Sequence, residues 1–286
     1  MSKKKLLITL GDSFTEGVGC WDYKLFSTEM ITLINDWTID RGYILYSNSK
    51  HFDNVKKSDH KNNFHLRGWP NKLGKKLKFD MVVNMGNSGD SNSAQSKKFY
   101  NKYINNELND WDVSVVWLLT FPDRFSFYTG DGITSYQSAD TSPNRLSEYY
   151  YKELINLSIH TKYESDIFIE LSTNRESVYH INTVETLCKL KGYKLYLFTY
   201  DDNVFNSLKN EYTGKSLINN ASENPIKPPF GFNDFNSKLC GHFNEDGYEH
   251  IAENMKKSLL SMNLELGNNY SNDLKWEWVG QETPYK

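Results

Sequence analysis

The sequence predicts an α/β fold, a parallel sheet with helices on both faces. Short runs of near-continuous apolar residues recur along the chain, as expected of strands covered on both sides. Helix-forming stretches lie between them, and strand–helix alternation is the pattern of parallel crossovers. Aromatic residues make up 15 % of the 286 positions, enough large rings to fill a substantial core.

The elements follow in order. Leu6 to Leu10 (LLITL) is the first strand. It follows Lys3, Lys4 and Lys5 and loosely imitates a secretory leader, but it is shorter than the roughly seven to fifteen apolar residues of such a segment. Met81 to Met85, Val113 to Leu119 and Tyr193 to Thr199 are the second, third and fourth strands. Helices are predicted at Trp69 to Leu77, with Pro70 in a first-turn position, and at Asn92 to Asn106, Asn144 to Ile159, Thr173 to Lys191 and Asn244 to Ser261. Residues 18–67, rich in Asn, Asp, Lys, His and Tyr, break the rhythm and read as an insertion forming a cap or rim over a site. Residues 121–143 read as a Gly-, Ser- and Thr-rich loop and residues 214–240 as a second long loop; such loops are usually functional or mobile. The division is a main domain over 1–261 and a polar tail over 262–286. That tail carries Trp276 and Trp278 and either docks on its own domain, docks on a second subunit of a homo-oligomer, or frays.

Charge and composition exclude several classes. The net charge of −3 provides no basic field for nucleic acid or anionic membrane. No window approaches the roughly 18 apolar residues of a membrane span. Cys20, Cys188 and Cys240 are odd in number and far apart, which argues against a disulfide framework or a CxxC metal site and fits a cytoplasmic setting.

Three segments carry chemistry. Gly11-Asp12-Ser13-Phe14-Thr15-Glu16-Gly17 directly follows the first strand. A nucleophilic serine belongs at the carboxyl end of a strand, where open α/β sheets place their ligands. The flanking glycines allow a turn that points its N–H at a developing oxyanion. A plain helix cap at Asp12 or Ser13 is the competing reading. Gly241-His242-Phe243-Asn244-Glu245-Asp246-Gly247 places a histidine just before a helix that Asn244 can cap, a fitting position for a general base. The other histidines are weaker candidates: His51, His60 and His65 lie in the insertion, His160 and His180 in polar helical stretches where solvation is the default, and His250 inside the last helix. Asn84 to Ser91, after the second strand, holds Gly86 and Gly89, and an N–H at Gly89 is a candidate oxyanion donor. A tight turn alone would look the same, and the Gly-x-Gly-x-x-Gly and Gly-Lys-Ser/Thr phosphate patterns are absent.

In this order the segments resemble blocks I, II and V of the SGNH (GDSL) hydrolases, over roughly residues 5–260. The resemblance implies a three-layer α/β/α sandwich of the flavodoxin-like type that hydrolyses esters without a cofactor or metal. Ser13 would be the nucleophile, His242 the base, and the N–H groups of Ser13 and Gly89 the oxyanion donors. Two positions depart from the pattern. Where block III has an oxyanion Asn, this chain has Pro122, which carries no N–H; Thr120 or Asn87 would have to substitute. Where block V has an Asp three residues before the histidine, this chain has Leu239. Asp234 is the nearest upstream carboxylate, and a backbone carbonyl would otherwise orient the ring, leaving a Ser–His dyad.

The expected function is a serine esterase acting on O-acetyl groups of carbohydrate or on small acyl esters. Trp21, Tyr23, Phe125, Phe127 and Tyr128 are placed on loops near the strand ends, where they could stack on sugar rings or pack as ordinary core. The alternatives are a catalytically degenerate carbohydrate-binding or structural module of the same fold and, more remotely, a nucleotide-binding α/β protein. The Lys- and Asn-rich composition would suit a viral or prophage-encoded protein.

Overall fold

The computed structural model describes residues 3–20, 64–120, 124–129, 132–137, 162–199, 218–220, 242–269 and 274–279, and the single positions 206, 208 and 212. Its centre is a six-stranded sheet in which every pair is parallel. The strands are β1 (Lys4–Leu10), β2 (Met81–Asn84), β3 (Trp111–Leu119), β6 (Lys194–Thr199), β7 (Ile218–Asn220) and β8 (Lys275–Trp278), in the order β7-β6-β3-β1-β2-β8. All four strands expected from the apolar runs are present.

Alternation along the strands sorts the core onto two faces. Leu7, Val82, Val116, Leu118 and Phe198 share one cluster with Trp69, Leu73, Tyr248, Ile251 and Met255. Those partners come from α2 (Trp69–Lys76) and α5 (Glu245–Ser261), which pack on each other. Leu6, Ile8, Leu10, Val83, Val115 and Trp117 share the other cluster with Phe99, Tyr103, Ile181, Val184 and Leu187. Those come from α3 (Asn92–Tyr103) and α4 (Lys162–Lys191). The result is the α/β/α sandwich expected. Salt bridges from Lys72 and Lys76 to Glu245, Glu249 and Glu253 run along the outer edge of the α2–α5 contact.

The structure corrects several local expectations. Helix α3 ends at Tyr103, three residues short of Asn106, and α4 begins at Lys162 rather than Thr173. The helix expected at Asn144 to Ile159 lies outside the described residues. Residues 121–143 are not all loop: β4 (Arg124–Thr129) and β5 (Gly132–Gln137) form an antiparallel hairpin, with Thr129 opposite Gly132. Phe125, Phe127 and Tyr128 therefore lie on a strand rather than on a loop, while Trp21 and Tyr23 lie outside the described residues. Within 214–240, Ile218–Asn220 forms the short edge strand β7. In the C-terminal stretch, β8 pairs with β2 at the opposite edge, so this part of the chain docks on its own domain. Of the 18–67 segment, residues 18–20 and a single 3-10 turn at Phe64–Arg67 are described. His180 is 9 % exposed and faces Glu176, not the solvated residue its polar surroundings suggest. Among the described residues, no helix is long and apolar enough to cross a membrane.

Candidate active site

Strand order reverses around β1, with β2 on one side and β3 on the other. In open α/β sheets the crevice at such a reversal, beyond the carboxyl ends of the strands, is where ligands bind. Ser13 lies three residues past the end of β1, at the start of the four-residue helix α1 (Ser13–Glu16).

The turn into α1 is tightly specified. Gly11 has φ +148°, and a Cβ there would press on Thr15 and lie 2.8 Å from the Leu118 carbonyl oxygen. Only glycine suits both demands. Asp12 caps α1: its Oδ1 accepts from the Phe14 N–H at 3.1 Å, and its backbone carbonyl accepts from the N–H groups of Thr15 and Glu16, both at 2.9 Å. Gly17, at φ +100°, ends the helix in a left-handed cap.

The histidine that meets this turn comes from far along the chain. His242 precedes α5, and Asn244 caps that helix by accepting from the Gly247 N–H at 2.9 Å. The Tyr248 hydroxyl, buried in the core, donates to the Val18 carbonyl at 2.6 Å, tying α5 to the stretch after α1. Gly19, φ +104°, lets that stretch pass close to His242 and Phe243: a Cβ there would stand 3.1 Å from His242 Cβ. Phe14 meets the rings of His242 and Phe243, with centroids 4.8 and 5.2 Å away. The outcome is a contact of 2.7 Å between His242 Nε2 and Ser13 Oγ, across 229 positions of sequence. Ser13 is 8 % exposed and His242 is half-buried.

The third segment, Asn84 to Ser91, is stitched to the turn that carries Ser13. The Asn84 side chain donates to the Thr15 carbonyl at 3.0 Å and accepts from the Gly86 N–H at 2.8 Å. The Asn87 N–H donates to the Gly11 carbonyl at 3.2 Å. The Ser88 N–H donates to the Glu16 carboxylate at 2.6 Å, and the Ser88 hydroxyl donates to the same oxygen. Gly86 sits against α1 so closely that a Cβ would fall 2.8 Å from Thr15 Cβ. Gly89 has φ +83°, and among the described residues beyond its chain neighbours nothing fills the space where a side chain would be. Among the described residues, no acceptor takes the N–H of Ser13 or of Gly89.

Beneath this loop lies a buried ionic cluster. Lys98 on α3 donates to Asp90 at 2.7 Å, Asn87 donates to the other Asp90 oxygen at 3.0 Å, and Gln95 also donates to Asp90. Gln95 in turn accepts from the Gly11 N–H at 3.1 Å. Burial pushes the Asp90 carboxyl above the ordinary carboxylate range, against the pull of Lys98, Asn87 and Gln95.

Thr120 and Asn87, weighed as further oxyanion donors, make the following contacts. Thr120 donates its hydroxyl to Asp12 Oδ2 at 2.7 Å, and its backbone is held on both sides by the Asn92 amide. Both contacts of the Asn87 amide nitrogen stay within its own loop, on Asp90 and the Ser88 carbonyl. Pro122, Asp234 and Leu239 lie outside the described residues. Sequence reasoning gave no role to Glu16, His65 or Trp278. Trp278, at the end of β8, donates its indole N–H to the Gly86 carbonyl at 2.9 Å and stacks on His65 at 4.1 Å, while His65 Nδ1 lies 3.1 Å from the Glu16 carbonyl. No group of three or more His, Cys, Asp or Glu among the described residues is arranged to hold a metal.

By sequence, the chain matches no protein-family profile and no curated protein. By structure, it is similar to a lipolytic protein of the G-D-S-L family from Desulfitobacterium hafniense DCB-2, at 13 % identity and TM-score 0.43, covering 89 % of this chain and 99 % of the other. It is similar to the acetyl xylan esterase Est2A from the rumen bacterium Butyrivibrio proteoclasticus, at 12 % identity and TM-score 0.43, covering 92 % of this chain but 65 % of Est2A. It is also similar to a carbohydrate esterase whose active site displays divergent catalytic and non-catalytic binding functions, at 12 % identity and TM-score 0.46, covering 91 % and 69 %.

Proposed function

We propose that this protein is a carboxylic ester hydrolase of the SGNH (GDSL) type, with Ser13 as nucleophile and His242 as base. The observation that carries the reading is the 2.7 Å approach of His242 Nε2 to Ser13 Oγ beyond the carboxyl end of β1. With the ring proton on Nδ1, Nε2 accepts the serine proton as Oγ attacks the ester carbonyl carbon. The carbonyl π electrons move onto oxygen, and the N–H groups of Ser13 and Gly89 stabilise that oxyanion. The tetrahedral intermediate collapses, the alkoxide leaves with the proton from Nε2, and an acyl-enzyme remains. Water, deprotonated by the same nitrogen, releases the acid and restores Ser13. Asp234 is proposed as the group that orients the imidazole. The proposed substrates are O-acetyl groups on carbohydrate, or small acyl esters.

The test is turnover of p-nitrophenyl acetate and butyrate by the wild type beside Ser13→Ala, with fluorophosphonate labelling to locate the nucleophile. Turnover that disappears in the variant, and labelling confined to Ser13, support the esterase. One observation favours a second reading, a binding module that kept the fold: Pro122 stands where a third oxyanion donor is expected. Losing such a donor costs on the order of 10²–10³ in rate. Equal rates for wild type and Ser13→Ala, with retained binding of acetylated oligosaccharide, would select the module.

A further inference from the structure

Building on the esterase reading, we infer that Glu16 is a positioning residue whose carboxylate locks the loop bearing Gly89 onto the turn bearing Ser13. Glu16 closes α1, three residues after the nucleophile, and is 2 % exposed. Its Oε2 takes both the backbone N–H and the hydroxyl of Ser88, the residue immediately before Gly89. Hydrogen bonds to an ionised acceptor are roughly twice as strong as neutral ones.

Among the described residues other than its chain neighbours, no atom lies within 4 Å of where a Gly89 Cβ would be. Its N–H is aimed by its flanks. On one flank Ser88 is held by Glu16; on the other Asp90 is held by Lys98. Glu16 is itself anchored, because its N–H donates to the Asp12 carbonyl at 2.9 Å and its carbonyl meets His65 Nδ1 at 3.1 Å. Together with the Asn84–Thr15 and Asn87–Gly11 bonds, the carboxylate holds the two segments that supply the oxyanion donors against each other, and of these contacts it alone acts at Ser88, the residue next to Gly89. Catalysis by such donors depends on their being placed before charge develops, and a displacement near 1 Å can cost about 10²-fold.

The test compares full-length wild type, Glu16→Gln, Glu16→Ala and Ser88→Ala by kcat and KM on p-nitrophenyl acetate and by amide hydrogen exchange across residues 85–91. Glu16→Gln keeps the shape and weakens the acceptor, and kcat should fall about tenfold. Glu16→Ala should lower kcat by about 10²-fold. KM should change by less than about twofold in either, because substrate binding in the ground state does not use the oxyanion geometry. Ser88→Ala keeps the backbone contact and should lose less than Glu16→Gln. Exchange at Ser88, whose N–H the carboxylate accepts, should accelerate in the Glu16 variants. A wild-type kcat in Glu16→Ala, or unaltered exchange across 85–91, would overturn the inference. Wild type no faster than Ser13→Ala would instead defeat the esterase reading, and the exchange result alone would then decide the clamp. If Glu16→Ala does not fold, Glu16→Gln and Ser88→Ala carry the same comparison.

Discussion

Replacing Lys98 with Met should destabilise the fold strongly at neutral pH and much less in acid. The Lys98 and Asp90 side chains are 7 % and 6 % exposed, and their charged atoms are 2.7 Å apart. Removing the ammonium takes from a carboxylate that water scarcely reaches the cation that donates to it at 2.7 Å. Breaking buried pairs in this way costs about 3–5 kcal/mol, a large share of the 5–15 kcal/mol that holds a typical domain together. The pH dependence has a definite sign. Burial already raises the Asp90 carboxyl, and without Lys98 it rises further. The native variant then takes up a proton at a pH where the unfolded chain is still ionised. The penalty is complete above the native-state value and shrinks as pH falls towards the unfolded carboxyl's ordinary value, near 3.9. Urea unfolding of wild type and Lys98→Met at several pH values measures this directly. A loss below about 1 kcal/mol at pH 7.5, or an equal loss at pH 5, would refute the reasoning. The double variant Asp90→Asn with Lys98→Met should recover the greater part of the loss.

Gly11→Ala should cost about 2 kcal/mol or more, because φ +148° and the carbonyl of Leu118 leave no place for a Cβ; thermal unfolding measures the loss, and ester turnover should fall with it. Ester turnover should also decline as pH drops below neutrality, since protonated His242 cannot accept the serine proton, and a rate that stays flat from about pH 5 to 8 would remove His242 from the role of base.

The parts of the fold that could be read from sequence are those with enough signal to stand alone. β1, β2, β3 and β6 are buried on both sides and so carry unbroken apolar runs. β8 reads Lys-Trp-Glu-Trp, an edge strand of four residues with only alternate positions facing inward, too short to separate from a polar tail. The β4–β5 hairpin was hidden by its Gly, Ser and Thr content, although aromatic residues punctuate it. At the site, the meeting of Ser13 with His242 could be anticipated, because a serine just past a strand end and a histidine just before a capped helix stand out by residue type and neighbours. Glu16, in the same heptapeptide, was not, because its partner Ser88 is 72 positions away and no local rule connects them. His65 was set aside for the same reason, its stacking partner being Trp278 at the far edge of the sheet.

That edge matters for how the molecule matures. Translation runs from the amino terminus, so Ser13 emerges 229 positions ahead of His242. β8 follows later still, bringing the indole that fastens Gly86. Over that interval a growing chain carries the Ser13 hydroxyl without the imidazole that meets it in the fold, and the Gly86 carbonyl waits longer still for its indole partner.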